Sequence, residues 1–226
     1  MKKSEKREFI IQTLENLYPI VEIPLDHIND FTFLIAVMLS AQSTDKKVNE
    51  ITPDLFSLAP NPEKMVDLGV HKIKKLIRQI GLAPTKAKNI FMTSEILIEK
   101  FNSKVPDNFE DLESLPGVGH KTSSVIMSQI FKVPAFPVDT HIHRLAKRWG
   151  LSSGKNVKKT EEDLKKFFEK NLWNKLHLQI IFYGREYCKA SKNKCVCKIC
   201  SAIKWFLNVN KSLFINQILG INLGNL

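Results

Sequence analysis

Apolar residues recur at intervals of three and four along most of this chain, which is the spacing of one face of an α-helix. No stretch shows the alternation typical of a half-buried strand, so the pattern predicts an all-α protein. A nearly continuous apolar run begins at Phe31, and Asp30 is predicted to be the N-cap of the buried helix that it forms. Further helices are predicted at residues 4–18, near 61–68 and 71–80, after the turn at Gly81, and at 139–150, 160–169 and 172–188.

The stretch from Leu112 to Arg144 carries the strongest local signals. Gly117 and Gly119 separate two short segments that share an apolar face, so the pattern predicts a helix–hairpin–helix. Glycine allows positive φ and lets the backbone approach a partner closely. The turn amides and the N-terminus of the following helix, which carries partial positive charge, suit a phosphate. By itself such a turn indicates only a DNA-binding module.

Two residues near this turn could carry chemistry. Lys121 lies in the first helical turn after Gly119, where the helix dipole and partial desolvation disfavour an ammonium and favour a nucleophilic neutral amine. The alternative is a lysine that contacts a DNA phosphate or is solvated. Asp139 opens the next helix, where it is an N-cap, a carboxylate that stabilises positive charge developing at a sugar carbon, or both.

Four further residues are candidates for contacts with DNA. Gln42 lies in a polar segment after the buried helix, where it either lines a capping loop or reaches a base edge with its amide. Leu82 follows Gly81 at a second tight turn, where it is either a core residue or a wedge between bases. His141 and Arg144 follow Asp139 on one helix, and Arg144 would pair with a phosphate or a carboxylate.

All the cysteines fall within one short segment with the spacing Cys188-x6-Cys195-x-Cys197-x2-Cys200. This crowding indicates a metal or cluster site in a reducing compartment, since thiolates so close together bind a [4Fe–4S] cluster or a zinc ion. Four free thiols are the alternative. The loop between the first two cysteines is basic and is predicted to contact phosphates through three lysines, Lys189, Lys192 and Lys194.

Composition supports a polyanionic partner. The 226 residues are 43% hydrophobic and 25% charged, with a formal net charge of +11, which favours nucleic acid first and an anionic membrane surface second. The N-terminus lacks the long apolar core of a secretory signal, and the longest apolar run is too short to span a bilayer. We therefore expect a soluble intracellular protein that acts as a monomer without a membrane partner.

The motifs together resemble the endonuclease III family, the bifunctional DNA glycosylases of the helix–hairpin–helix and Gly-Pro-Asp superfamily. The resemblance extends from about residue 5 to about residue 200 and is carried by LPGVGHKT, VDTHIHR, MLSAQSTDKKVNE, IGLAPTKAKNI and YGREYC. It implies two helical domains, a six-helix domain at residues 22–133 and a smaller one that joins residues 1–21 with 134–226 and carries the cysteine loop, with the lesion entering the cleft between them. By this resemblance Lys121 is the Schiff-base nucleophile and Asp139 the catalytic carboxylate. Gln42 fills the space that the extruded nucleotide leaves, and Leu82 is the wedge. Gly117–Val118–Gly119 form the phosphate-binding turn.

The resemblance implies a base-excision repair enzyme that removes oxidised pyrimidines from duplex DNA and cuts 3′ to the abasic site. The compartment would be the cytoplasm in a bacterium, or the nucleus or mitochondrion in a eukaryote. The alternatives are a monofunctional adenine or mismatch glycosylase and a non-enzymatic DNA-binding module. The cysteines depart from the family spacing C-x6-C-x2-C-x5-C, with Lys198 and Lys204 where cysteines are expected. We predict a retained [4Fe–4S] cluster, with zinc or no metal as alternatives.

Overall fold

The computed structural model describes residues 2–191 and 195–204, and within these ranges the chain is helical and has no β-strand. The all-α prediction is confirmed. None of the helices in this described part is long and apolar enough to cross a membrane.

The described residues form two compact units. One is Glu22–Pro137, and the other joins the N-terminal segment up to Val21 with the described residues from Val138 onward. The sequence predicted a boundary near residue 133, and whether each unit is an independent domain stays a prediction.

The unit Glu22–Pro137 is built around one buried helix. In α2 all side chains from Phe31 to Leu39 are buried, because apolar residues cover every face of this helix. Its N-cap is Asn29, whose side chain accepts a hydrogen bond from the Thr32 amide. The prediction of Asp30 was one residue late. The helices of this unit are α2 (Asp30–Ser40), α3 (Asp45–Asn49), α4 (Thr52–Leu58), α5 (Pro62–Leu76), α6 (Ala83–Phe101), α7 (Phe109–Ser114) and α8 (His120–Gln129).

Two details of this unit differ from the prediction. Helix α4 was not expected, since only two of its residues, Leu55 and Phe56, are both apolar and buried. The two short helices predicted near 61–68 and 71–80 are both present within α5, separated at Gly69 (φ 70°, ψ 158°), but the second ends at Leu76 and not near residue 80. Helix α6 packs along α5 and also contacts α2, so it is the scaffold to which the hairpin and the loops around it attach.

The second unit is organised around helix α11. Helix α11 packs against both α1 and α9, and α10 packs against α9. The rings of Trp149 and Tyr183 are fully buried and meet edge to face with centroids 5.8 Å apart. The elements of this unit are α1 (Lys3–Leu17), α9 (Thr140–Arg148), α10 (Val157–Phe167), a 3₁₀ helix (Lys170–Leu172) and α11 (Trp173–Glu186), and residues 198–204 are also helical.

Candidate active site and metal site

The predicted hairpin consists of α7, a tight turn and α8. Gly117 adopts φ +82°, and a Cβ at this position would lie 2.6 Å from the amide nitrogen of Asn89 in α6. Glycine is therefore required here both by the backbone and by packing. Gly119 is the N-cap of α8 with negative φ, and a Cβ on it would meet no atom within 4 Å. Neither strain nor packing requires glycine at 119, so its open surroundings fit the close approach of a partner.

Packing holds the turn in place from beneath. The side chains of Leu115 and Val118 are buried in the core of the unit, and the Val118 amide donates to the Leu115 carbonyl at 3.0 Å. The Thr93 hydroxyl donates to the Pro116 carbonyl at 3.1 Å and so ties the turn to α6. The DNA contact predicted for Val118 stays a prediction, and its side chain serves the core.

Lys121 lies in the first turn of α8, and its side chain is exposed. The same turn contains a small polar network. The Ser123 hydroxyl donates to Oε1 of Glu113 at 2.8 Å, and Nδ1 of His120 lies 2.8 Å from the same oxygen. These two hydrogen bonds hold the pKa of Glu113 below its usual range, and the bond from Ser123 contributes more than the bond from His120. The carboxylate thus links α7 to α8 and fixes the start of the helix that presents Lys121.

The structure brings the loop of Gln42 close to the turn that contains Leu82, although 40 residues separate the two residues in the sequence. A Cβ on Gly81 would lie 3.7 Å from the carbonyl oxygen of Gln42, so the two loops run close to one another. Both residues adopt positive φ, 56° for Gln42 and 61° for Leu82. Leu82 is 56% exposed, which argues against a core role and fits the predicted wedge. An exposed leucine in the left-handed region has no packing reason to be there.

One buried residue beneath these loops was missed by the sequence analysis. Lys86 of α6 is 7% exposed, and its Nζ donates to the carbonyls of Leu39 and Ala41 at 2.8 and 2.6 Å. The sequence did contain a sign that Lys86 is buried, because Lys86 shares a helical face with the apolar Ala83 and Ile90. A lysine on such a face is buried only when tertiary structure supplies acceptors for it.

Asp139 is the N-cap of α9. Its Oδ1 accepts a hydrogen bond from the Ile142 amide at 2.8 Å, and the residue is half-buried. The structural role considered for it is therefore present, and a catalytic role is compatible with this geometry. His141 and Arg144 face α11, where Arg144 donates to the carbonyls of Gly184 and Cys188 at 3.1 and 2.9 Å. Burial is the main cause that lowers the pKa of His141. The DNA contacts predicted for these two residues stay predictions.

The four cysteines converge. Their sulfur atoms all lie within 4.8 Å of one another, and three of the residues are buried while Cys197 is intermediate. The sulfur of Cys188 lies 3.4 Å from that of Cys195 and 3.9 Å from that of Cys200. Hydrogen bonds from Cys188 and Cys200 hold the pKa of the Cys197 thiol well below its usual range, and those with Cys188 and Cys197 raise the pKa of Cys200. The four residues can bind a metal.

Neighbouring side chains support this cluster. Arg148 at the end of α9 was not predicted, and its Nη1 lies 3.3 Å from the Cys188 sulfur and donates to the Lys189 carbonyl at 2.9 Å. The buried Tyr183 hydroxyl accepts a hydrogen bond from the Ile199 amide at 3.2 Å and so ties the cysteine segment to α11. Lys189 is exposed, as a phosphate contact would require. The predictions for Lys192 and Lys194 fall outside the described residues.

Comparison with known proteins adds to this geometry. Residues 35–170 match the family described as HhH-GPD superfamily base excision DNA repair protein. The chain is 44% identical to endonuclease III of Buchnera aphidicola subsp. Acyrthosiphon pisum over 86% of this chain and 93% of the relative. The chain belongs to the endonuclease III family. The family also includes endonuclease III of Treponema pallidum, which is 46% identical over 74% of this chain and 79% of its own length.

Solved structures of the family agree in fold over nearly their whole length. A non-covalent endonuclease III–DNA complex has a TM-score of 0.84 and 37% identity and covers 92% of this chain and 99% of its own. A trapped endonuclease III–DNA covalent intermediate has a TM-score of 0.82 and 36% identity, covering 89% of this chain and 98% of its own. The predicted family membership is confirmed.

Proposed function

We propose that this protein is a base-excision repair glycosylase with AP lyase activity, which removes oxidised pyrimidines from duplex DNA. Membership of the endonuclease III family supports the reaction class. The observation that carries the proposal for this chain is the hairpin itself. Its turn leaves open space at Gly119 and places an exposed Lys121 in the first turn of the helix that follows.

The hairpin turn and the N-terminus of α8 bind a DNA phosphate without reading sequence, since their amides and the helix dipole attract any phosphate. Gln42 enters the space that the extruded nucleotide leaves, and Leu82 inserts between neighbouring bases. Extrusion costs least for a poorly stacked lesion, which gives the enzyme part of its selectivity.

Chemistry begins when the neutral amine of Lys121 attacks C1′ of the extruded nucleotide and the damaged base leaves with its bonding electron pair. The carboxylate of Asp139 stabilises the positive charge that develops on the sugar. Ring opening gives a Schiff base between Lys121 and C1′, which acidifies the proton on C2′. When water takes that proton, the electron pair forms a double bond between C2′ and C3′. The 3′ phosphate leaves with the electrons of the C3′–O bond, so the strand is cut 3′ to the abasic site, and hydrolysis of the Schiff base frees Lys121.

The test is incision of a duplex with thymine glycol opposite adenine, alongside a duplex with a preformed abasic site. We expect the wild-type protein to cut both and to form a covalent adduct when borohydride reduces the Schiff base. Lys121→Gln should lose the adduct while it keeps most of its affinity for the duplex. Base release without a nick would instead indicate a monofunctional glycosylase, and binding alone a DNA-binding module. An adduct of undiminished yield in Lys121→Gln would remove this lysine from its role.

We also propose that Cys188, Cys195, Cys197 and Cys200 hold the [4Fe–4S] cluster predicted from the sequence, as a structural group. The donor set fits, because four thiolates are the usual ligands of such a cluster. The closest sulfur pairs resemble those around a single zinc ion, whose tetrahedral thiolates lie about 3.8 Å apart. A cluster therefore requires the sulfurs to separate. Absorption near ~400 nm with about four irons per chain would support it. One zinc per chain would contradict it.

A further inference from the structure

Lys86 is the buried cation of the unit Glu22–Pro137 that the proposed reaction leaves without a role. Its Nζ donates to the carbonyls of Leu39 and Ala41, which are backbone groups and not carboxylates. Burial lowers the pKa of this amine, so the two carbonyls have to compensate for its desolvation. Lysine is rarely buried unless its ammonium is satisfied in this way. The ammonium of Lys86 is therefore expected to hold these two carbonyls in place.

These carbonyls lie where α2 ends and the Gln42 loop begins. The last carbonyls of a helix have no partner within the helix, and a lysine there also interacts favourably with the helix dipole. Leu39 belongs to the last turn of α2 and Ala41 is its C-cap. Gln42 follows directly with φ 56°. The ammonium of Lys86 thus holds the carbonyls on the path that leads the chain into the left-handed conformation of Gln42.

The backbone of the same residue holds the other loop. The Lys86 amide donates to the Leu82 carbonyl at 2.9 Å and so closes the first turn of α6 after the exposed Leu82. One residue therefore bonds both segments, through its side chain to the Gln42 loop and through its amide to the Leu82 turn. Non-glycine residues at positive φ persist only where their surroundings hold them. Here both left-handed residues adjoin groups that Lys86 bonds: Gln42 follows Ala41, and Leu82 itself accepts from the Lys86 amide.

We propose that Lys86 is a positioning residue, which holds Gln42 beside Leu82 so that the two together keep a damaged nucleotide out of the base stack. The proposal rests on the proposed function for what the two loops do. It assigns Lys86 no contact with the lesion and no step in the chemistry. Its contribution is to the geometry of extrusion, and small misplacements of such groups lower rates strongly.

The variant that tests this role is Lys86→Met, which keeps a long apolar side chain and loses all donors. We expect removal of thymine glycol at saturating duplex to fall about ten- to a hundredfold. Incision of a preformed abasic site should change by less than about threefold, since no base has to be unstacked there. A 2-aminopurine next to the lesion, in a Lys121→Gln background that prevents incision, should show a smaller rise in fluorescence on binding.

Three further variants serve as controls. Lys86→Arg keeps donors for both carbonyls and should restore most of the fluorescence rise. Lys100→Met removes an exposed positive charge at the far end of α6 and should leave both activities unchanged. Ser94→Ala removes a buried hydrogen bond to the Ile90 carbonyl in the same helix and reports what loss of stability alone does.

Two results would overturn the proposal. One is that Lys86→Met matches the wild-type protein in both activities and in fluorescence. The other is that it loses both activities equally, in proportion to its melting temperature, as Ser94→Ala does. A wild-type protein that binds the duplex but does not incise it would refute the proposed function. The fluorescence change would still decide about Lys86, because it depends on binding alone.

Discussion

The hairpin and the cysteine cluster are built in opposite ways. The hairpin turn is complete without any partner, since its glycine conformation, its buried side chains and the hydrogen bond that its Pro116 carbonyl accepts from Thr93 of α6 all come from the chain. The cysteine cluster consists of four sulfurs within 4.8 Å of one another, and a bound metal would complete it. Both regions are indicated by short sequence signals, but the hairpin is held by packing within the protein and the cysteine cluster needs a metal.

This difference has a consequence for stability and function. The hairpin should tolerate changes that face solvent and fail when its packing is disturbed. The cysteine cluster should tolerate changes between its ligands and fail when one sulfur is lost. Substitutions in the two regions should therefore distinguish dependence on packing from dependence on a metal ligand.

The largest effect should come from Asp139→Asn. Asparagine is as good an N-cap as aspartate, so α9 and the melting temperature should be preserved. The negative charge is lost, and we expect kcat for thymine glycol removal to fall about 10²- to 10³-fold. Single-turnover incision assays measure the fall. Asp139→Ala is the comparison, because it removes both charge and cap. A wild-type kcat in Asp139→Asn would mean that this residue is an N-cap only.

The next effect should come from Cys200→Ser. Loss of one of four ligands should lower bound metal to well below one site per chain and lower the melting temperature by several degrees, since metal binding contributes to folding. Elemental analysis and thermal melts measure both changes. Val196→Ser is the control, because Val196 lies between two of the cysteines and is 75% exposed. Equal metal content in the two variants would exclude Cys200 as a ligand.

A matched pair of glycine variants tests the hairpin. Gly117→Ala should lower the free energy of unfolding by about 1–3 kcal/mol, because its Cβ would meet Asn89 and its φ is positive. Gly119→Ala should lower that free energy by less than about 1 kcal/mol, because its surroundings are open and only the better N-cap preference of glycine is lost. We nevertheless expect it to weaken duplex binding several-fold. Urea unfolding and a binding titration separate the two. Equal destabilisation would contradict this interpretation of the turn.

The smallest effect concerns pH. The folded state holds the pKa of Glu113 below its usual value of 4.5 through Ser123 and His120, so this carboxylate stabilises the fold above that value. The stabilisation should be lost as pH falls through the lower, folded-state pKa. The melting temperature of the wild-type protein should therefore exceed that of Glu113→Gln by a few degrees at pH 5, and the gap should close toward pH 3. A constant gap would show that the carboxylate charge is irrelevant.

Much of the fold could be predicted from the sequence, because most of its helices carry their own periodicity and caps. Helix α9 begins where Asp139 was expected to open it. The errors are local. The N-cap of α2 is Asn29 and not Asp30, since the two neighbours are equally good caps and only the backbone geometry distinguishes them. Helix α4 was missed because its apolar signal is short.

In the candidate site, too, some features could be predicted from the sequence and others could not. The sequence by itself indicated the hairpin turn, the N-cap of α9 and the cysteine cluster, because each of these signals is contained within a short segment of the chain. Only the tertiary structure decided that the Gln42 loop lies close to Gly81 in the Leu82 turn and that Lys86 is buried with two carbonyls. These contacts join segments some 40 residues apart, and nothing in a local pattern encodes which distant backbone group will accept a hydrogen bond.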